Sequence, residues 1–427
     1  MKTIVVAGAM LAGSVFAAVP VIDPASISAR QDGGHTVVIS YTMNPATDGD
    51  TDPAIITVDV LTNYTENAEV KWASIGGEHL TTLSGDVNKI VGHTADYKHN
   101  ILWDPTKEGL PEMKLDASDV KVEITAWATN SPPAYWIIDL THPADRTADR
   151  FYPNAGQIPL GVTNILYKTD RLVMRRIPAK GVTWKEGGSA SGNAAYRYVT
   201  FSYDYWMGIY EITKRQYNLL RPSGWGAATI NDNAGFPLTG QHFGTWRGES
   251  LDKWPGNKDT ATSNLGWIDG ARSNTGFKKF EVPTAAEWEF ACRAGSSTKY
   301  CNGDTTDDLR KVAWTTSNSG GAYHEVGTKE PNAWGLYDMH GNALEWVLTR
   351  FATRSADPVW DPLGPSASQV HTSGSTPPVS WGNNVWQVRG GAAVNVSNKQ
   401  GCYPSYSSSD LTRGDAGPGI RLCLPIE

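Results

Sequence analysis

Two segments in the C-terminal half constrain the fold more than any other part of the chain. One runs Asn332-Ala333-Trp334-Gly335-Leu336-Tyr337-Asp338-Met339-His340-Gly341-Asn342-Ala343-Leu344-Glu345-Trp346. The other runs Val388-Arg389-Gly390-Gly391-Ala392-Ala393 and closes at Gly419-Ile420-Arg421. Both interleave glycine with charged or aromatic residues, and the whole chain shares this character, with 43 glycines, 17 tryptophans and 17 tyrosines. Side chains with an apolar body and a polar tip suit cores threaded by irregular loops, and they equally suit binding surfaces. With so much glycine they describe a chain dominated by turns rather than long helices.

At 427 residues the chain exceeds one ordinary core and predicts two domains of unequal size. Its start reads as a secretory signal over residues 1–17. Lys2 is the positive end, Ile4 to Phe16 is apolar, and Val15-Phe16-Ala17 fits a cleavage site. The apolar run is shorter than the roughly 20 residues a membrane-spanning helix needs, and no later segment qualifies. A secreted, periplasmic or cell-surface protein without a membrane span is therefore expected. The net charge of −7 excludes a generally basic surface for nucleic acid. Four cysteines, Cys292, Cys301, Cys402 and Cys423, allow three pairings, of which Cys292–Cys301 with Cys402–Cys423 closes the shortest loops.

Residues 34 to 130 read as short strands: Thr36 to Tyr41, Ala54 to Val60, Val70 to Trp72, Asn100 to Trp103 and Val120 to Ala126. The last alternates with period two, and turn-rich stretches separate the runs. Residues 18–130 are accordingly expected to form an immunoglobulin-like or fibronectin-like β-sandwich. Residues 131–170, punctuated by Pro, Gly and Asn, are expected as a linker, and 171–427 as a larger α+β, loop-rich domain. In that domain Thr213 should cap a helix. Thr284 with Glu287 forms a capping box for a stronger one that ends at Gly295, with Trp288, Ala291 and Cys292 sharing a face. Residues 351–385, rich in Ser, Pro and Gly, should form a long surface excursion.

Four segments in order resemble the formylglycine-generating enzyme, or sulfatase-modifying factor, superfamily. They are Trp206-Met207-Gly208-Ile209-Tyr210-Glu211-Ile212-Thr213 through Gln216-Tyr217, Pro283-Thr284 through Glu287-Trp288-Glu289-Phe290-Ala291, the 332–346 run, and Arg389-Gly390-Gly391 with Gly419-Ile420-Arg421. The resemblance spans about residues 172–423 and implies an elaborated C-type-lectin-like fold. Enzymes of the superfamily oxidise a peptide cysteine to formylglycine through two copper(I)-binding cysteines, thiolates being the soft ligands that copper(I) selects. The positions matching those cysteines are Asn395 and Gln400, so copper is not expected. Iron-dependent members draw on histidines, and the nine present here show neither H-x-H nor H-x-x-x-H spacing.

The resemblance further implies a structural calcium held by Asp338, Gly341, Ala343 and Glu345, the two acids through carboxylates and the other two through backbone carbonyls. Trp334 and Trp346 are expected beneath this loop, and Arg389 and Arg421 in buried ion pairs, with Glu345 or Glu289 opposite Arg389. The polar, tyrosine-rich stretch 395–415 reads as a recognition surface for a protein or glycan, carried by Asn395, Asn398, Gln400, Tyr403, Tyr406, Ser408, Asp410 and Arg413. The expected function is an exported, non-catalytic binding protein. The alternative is an oxidoreductase acting on a peptide cysteine or a related substrate.

Overall fold

The computed structural model describes residues 5–6, 20–31, 34–44, 53–92, 97–109, 119–187, 196–230, 233–241, 243–247, 266–350, 359–360, 386–394 and 418–426. The chain divides into two compact units. One comprises 1–137 with 149–164, the other 138–148 with 165–427.

The first unit is a β-sandwich. In one sheet Ala54–Glu66 pairs antiparallel with Val120–Ala128, Glu69–Ser74 and Lys89–Val91; in the other, Val37–Tyr41 lies between Ser28–Gln31 and His99–Trp103. Alternation along these strands decides which side chains turn inward. Val58, Val60, Val122 and Ile124 from the first sheet share one core with Ile39, Tyr41, Ile101 and Trp103 from the second. Of the stretch expected as a leader, Val5–Val6 is described, and it pairs in parallel with Lys121 and Val122. The stretch expected as a linker carries more structure than its turn residues suggest. Tyr135–Asp139 is a strand buried along its whole length, and it forms a hairpin with Arg150–Tyr152. Five of the six residues from Tyr135 to Leu140 are apolar or aromatic, and they supply the burial that the surrounding prolines conceal.

The second unit is built around an antiparallel set of strands in which Arg171–Ile177 pairs with Tyr205–Gly208, and the latter pairs with Cys423–Pro425. Cys423–Pro425 therefore shares a sheet with strands more than 200 residues earlier. The helix Lys214–Leu220 starts at Thr213, whose hydroxyl accepts from the Gln216 amide while the Gln216 side chain accepts from the Thr213 amide. The helix Ala285–Arg293 carries the capping box read from Thr284 and Glu287, and ends through Ala294 and Gly295, both at positive φ. Its environment differs from the one-faced expectation: every residue from Ala285 to Cys292 is buried, so the helix is a central strut. Thr284 is buried and its hydroxyl also donates to Glu287. Thr284→Ala is expected to cost about 1–2 kcal/mol in chemical denaturation, with Thr284→Ser recovering most of it.

The cysteines of this unit depart from the expected pairing. Cys292, Cys301 and Cys423 are free, buried thiols, and Cys402 lies outside the described residues. His340 stands at the place where the 292–301 bridge would close. Its Nε2 accepts from the Cys301 amide at 3.0 Å and lies 3.7 Å from Cys292 Sγ, which in turn donates to the Met339 carbonyl.

Candidate recognition site and its frame

The expected recognition residues, Asn395, Asn398, Gln400, Tyr403, Tyr406, Ser408, Asp410 and Arg413, lie outside the described residues. The residues on either side of them are placed, and both sides root on one short stretch. Glu345–Arg350 pairs antiparallel with Trp386–Arg389, putting Glu345 opposite Arg389 and Trp346 opposite Val388. Gly419 bridges to Glu345, taking the Leu344 carbonyl and giving its own carbonyl to the Trp346 amide. Residues 389 and 419 thus meet the same buried residue.

The turn before this strand is fixed by close approach of backbone. Asp338, Gly341 and Asn342 have positive φ, and a Cβ on Gly341 would stand 2.0 Å from the Trp314 carbonyl oxygen. Gly341 donates to the Gly390 carbonyl, Asn342 to that of Trp314, and Ala393 to that of Asn342. Ser319 closes the frame by donating to the Ala393 carbonyl. Glu211 anchors it from below: one carboxylate oxygen accepts from the Ala343 amide at 2.8 Å and the other from Asn342 Nδ2 at 2.9 Å.

Two buried charge clusters support this frame. In the first, Arg421 donates through Nη2 to Glu345 Oε1 at 2.7 Å and to the Tyr337 carbonyl at 2.8 Å, and through Nη1 to the Gly208 carbonyl at 2.9 Å. Trp288 Nε1 donates to Glu345 Oε2 at 2.7 Å. Burial, and then the charges of Asp338 and Glu345, push the Glu211 carboxyl well above the usual carboxylate range. Burial pushes Asp338 up to about 6, against the opposing effects of the Gly327 N–H and Arg421. In the second cluster Arg389 reaches Glu289 at 3.4 Å and Glu186 at 3.8 Å, while Arg293 and Arg197 bind the same two acids from outside. Arg389 therefore pairs with Glu289, one of its two expected partners, and Glu345 goes to Arg421. Trp346 is buried and donates to the Gln241 carbonyl. Trp334 is half-buried, packed edge-on against Phe290.

The two acids expected for calcium, Asp338 and Glu345, both accept hydrogen bonds within this frame. Glu345 is engaged by Arg421 and Trp288, and both oxygens of the neighbouring Glu211 are taken. Among the described residues no three His, Cys, Asp or Glu side chains converge as metal ligands. Asp338 Oδ1, buried and without a hydrogen-bond partner among the described residues, is a feature that favours a cation.

Glu211 and Glu186 were not singled out in the sequence. For Glu211 a signal existed, since it is the one acid inside the apolar run Met207 to Ile212, and an acid in such a run must find a buried partner. Glu186 lies on a strand of alternating exposure and carries no comparable mark.

Comparison with known proteins assigns most of the second unit to a family. The family model described as the sulfatase-modifying factor enzyme 1-like domain matches residues 175–423. The chain belongs to this family. It is 27% identical over 276 residues to a protein named chaperone protein LppX from Paenibacillus barcinonensis, a match covering 54% of this chain and 85% of that protein. It is 37% identical over 81 residues to the formylglycine-generating enzyme of Mycobacterium tuberculosis, covering 16% of this chain and 27% of the enzyme. Among solved structures, Treponema denticola variable protein 1 aligns with a TM-score of 0.44 at 20% identity, over 60% of this chain and 95% of that one. No helix of the described residues is long and apolar enough to cross a membrane.

Proposed function

We propose that this chain is an exported, non-catalytic binding protein whose sulfatase-modifying-factor-like domain presents residues 395–415 to a protein or glycan. One observation carries the reading. The frame that roots this segment is complete, while the two positions to which the family resemblance assigns copper-binding thiols are Asn395 and Gln400. An amide pair cannot replace a soft dithiolate. The described thiols do not compensate: burial raises Cys292 and Cys423 well above the usual thiol range and Cys301 to about 12, which disfavours the thiolate. A relative named as a chaperone is in keeping with a binding role, and export follows from Lys2 and the apolar stretch behind it.

The second reading, oxidation of a peptide cysteine, draws on Cys402, which lies two residues beyond Gln400. Copper(I) titration of the reduced protein separates the two. No stoichiometric tight binding is expected; tight binding that vanishes in Cys402→Ser would overturn the non-catalytic assignment. On the binding side, replacing Tyr403 and Tyr406 together by alanine should abolish retention of an identified partner without lowering thermal stability. Unchanged affinity would remove the proposed surface.

A further inference from the structure

We propose that Arg421 is the resident cation of the 338–345 turn, holding it without a divalent metal. The geometry rests on what the guanidinium spans. It bonds the Tyr337 carbonyl, just before Asp338, and the carboxylate of Glu345, the last acid of the turn. Its Nε adds contacts of 3.2 Å to both Glu345 oxygens, and its third branch ties the same assembly to the Gly208 carbonyl in the central strands. A carboxylate and two main-chain carbonyls are the hard oxygen donors that Ca²⁺ takes from a loop. Here one planar fork of N–H donors takes the Glu345 carboxylate and the Tyr337 and Gly208 carbonyls.

Arg421 is fully buried, so its charge acts at low effective dielectric. A dication placed within the same turn would be repelled by it and would find Asp338 Oδ1 as its one unpartnered carboxylate oxygen among Glu211, Asp338 and Glu345. The arrangement has a second consequence. Gly208 and the 337–345 stretch lie far apart in sequence, and a single side chain from just before the strand Cys423–Pro425 joins them, so the turn is locked only after residue 421 has docked. An ion could order the turn on its own; Arg421 makes its order depend on closure of the whole unit.

The full-length protein tests this directly. Melting curves after exhaustive chelation with EGTA, and after addition of millimolar Ca²⁺, should superimpose, and metal analysis should recover no stoichiometric calcium. An ion bound well above its Kd would instead raise the melting temperature by several degrees. A chelator-induced fall that Ca²⁺ reverses, or one equivalent of calcium recovered with the protein, would overturn the proposal. Arg421→Lys keeps the charge but loses the fork. It should melt lower than the unsubstituted chain in EGTA and in Ca²⁺ alike, whereas full rescue by Ca²⁺ would show that the turn takes a metal after all. Should Arg421→Lys fail to fold, the chelation comparison on the unsubstituted protein still decides.

Discussion

Replacing Trp288 with alanine is expected to lower the unfolding free energy of the C-terminal unit by about 3–5 kcal/mol, the range for removing a large buried aromatic. Trp288 has no exposed surface and sits on the fully buried Ala285–Arg293 helix. Two losses combine in the substitution. The indole leaves a cavity beneath Gly390, whose Cβ position is 3.6 Å from its ring, and Glu345 Oε2 loses its 2.7 Å donor. Trp288→Phe separates the two, because it keeps most of the volume and removes only the N–H. It should cost about 1–3 kcal/mol, the penalty for leaving a buried acceptor without that partner. Urea denaturation checks both variants, with the C-terminal transition followed separately because two compact units need not unfold in one step. Equal losses for Phe and Ala would place the whole effect in the hydrogen bond; a loss below about 1 kcal/mol for Ala would mean that the helix is not the strut its burial indicates.

The sequence was most legible where one short-range rule sufficed. Thr284 and Glu287 are three residues apart, and that spacing alone locates the start of the helix they cap. Val120 to Ala128 likewise announces a half-buried strand through its own alternation. Legibility fell wherever the partner was distant. Glu211 and Asn342 bond across 131 residues and Arg421 and Glu345 across 76, and no local period encodes such pairs. The Cys292–Cys301 expectation failed for a related reason. The nine-residue separation favoured closure, but His340, from a remote strand, meets both residues. Tyr135–Asp139 was masked by composition, since Pro132, Pro133 and Pro143 around it marked turns without excluding a strand between them. The recognition segment was legible only as composition, and its neighbours at 389 and 419 show where it is rooted rather than what it contacts.

Glu289→Ala should destabilise the same unit by about 3–5 kcal/mol, because removing one member of a buried pair strands the other charge. Glu289 and Arg389 have no exposed surface, and Glu289 also accepts from Arg293 and from the Gly187 amide. Removing the acid leaves Arg389 the longer 3.8 Å contact with Glu186 among the described residues. Arg293 suffers less, since its side chain keeps some exposure and can turn to water. Combining Glu289→Leu with Arg389→Met removes both buried charges and keeps apolar volume. The double variant is therefore expected to be more stable than Glu289→Ala, even though Gly187 N–H still loses its acceptor. The cycle is measured by urea denaturation of Glu289→Leu, Arg389→Met and their double variant, beside Glu289→Ala. Strict additivity would mean that the pair holds no mutual interaction, leaving Arg389 bound mainly through Glu186. A strongly non-additive cycle would instead identify Arg389–Glu289 as the charge contact that fixes the Trp386–Arg389 strand, and with it the N-terminal root of the recognition segment.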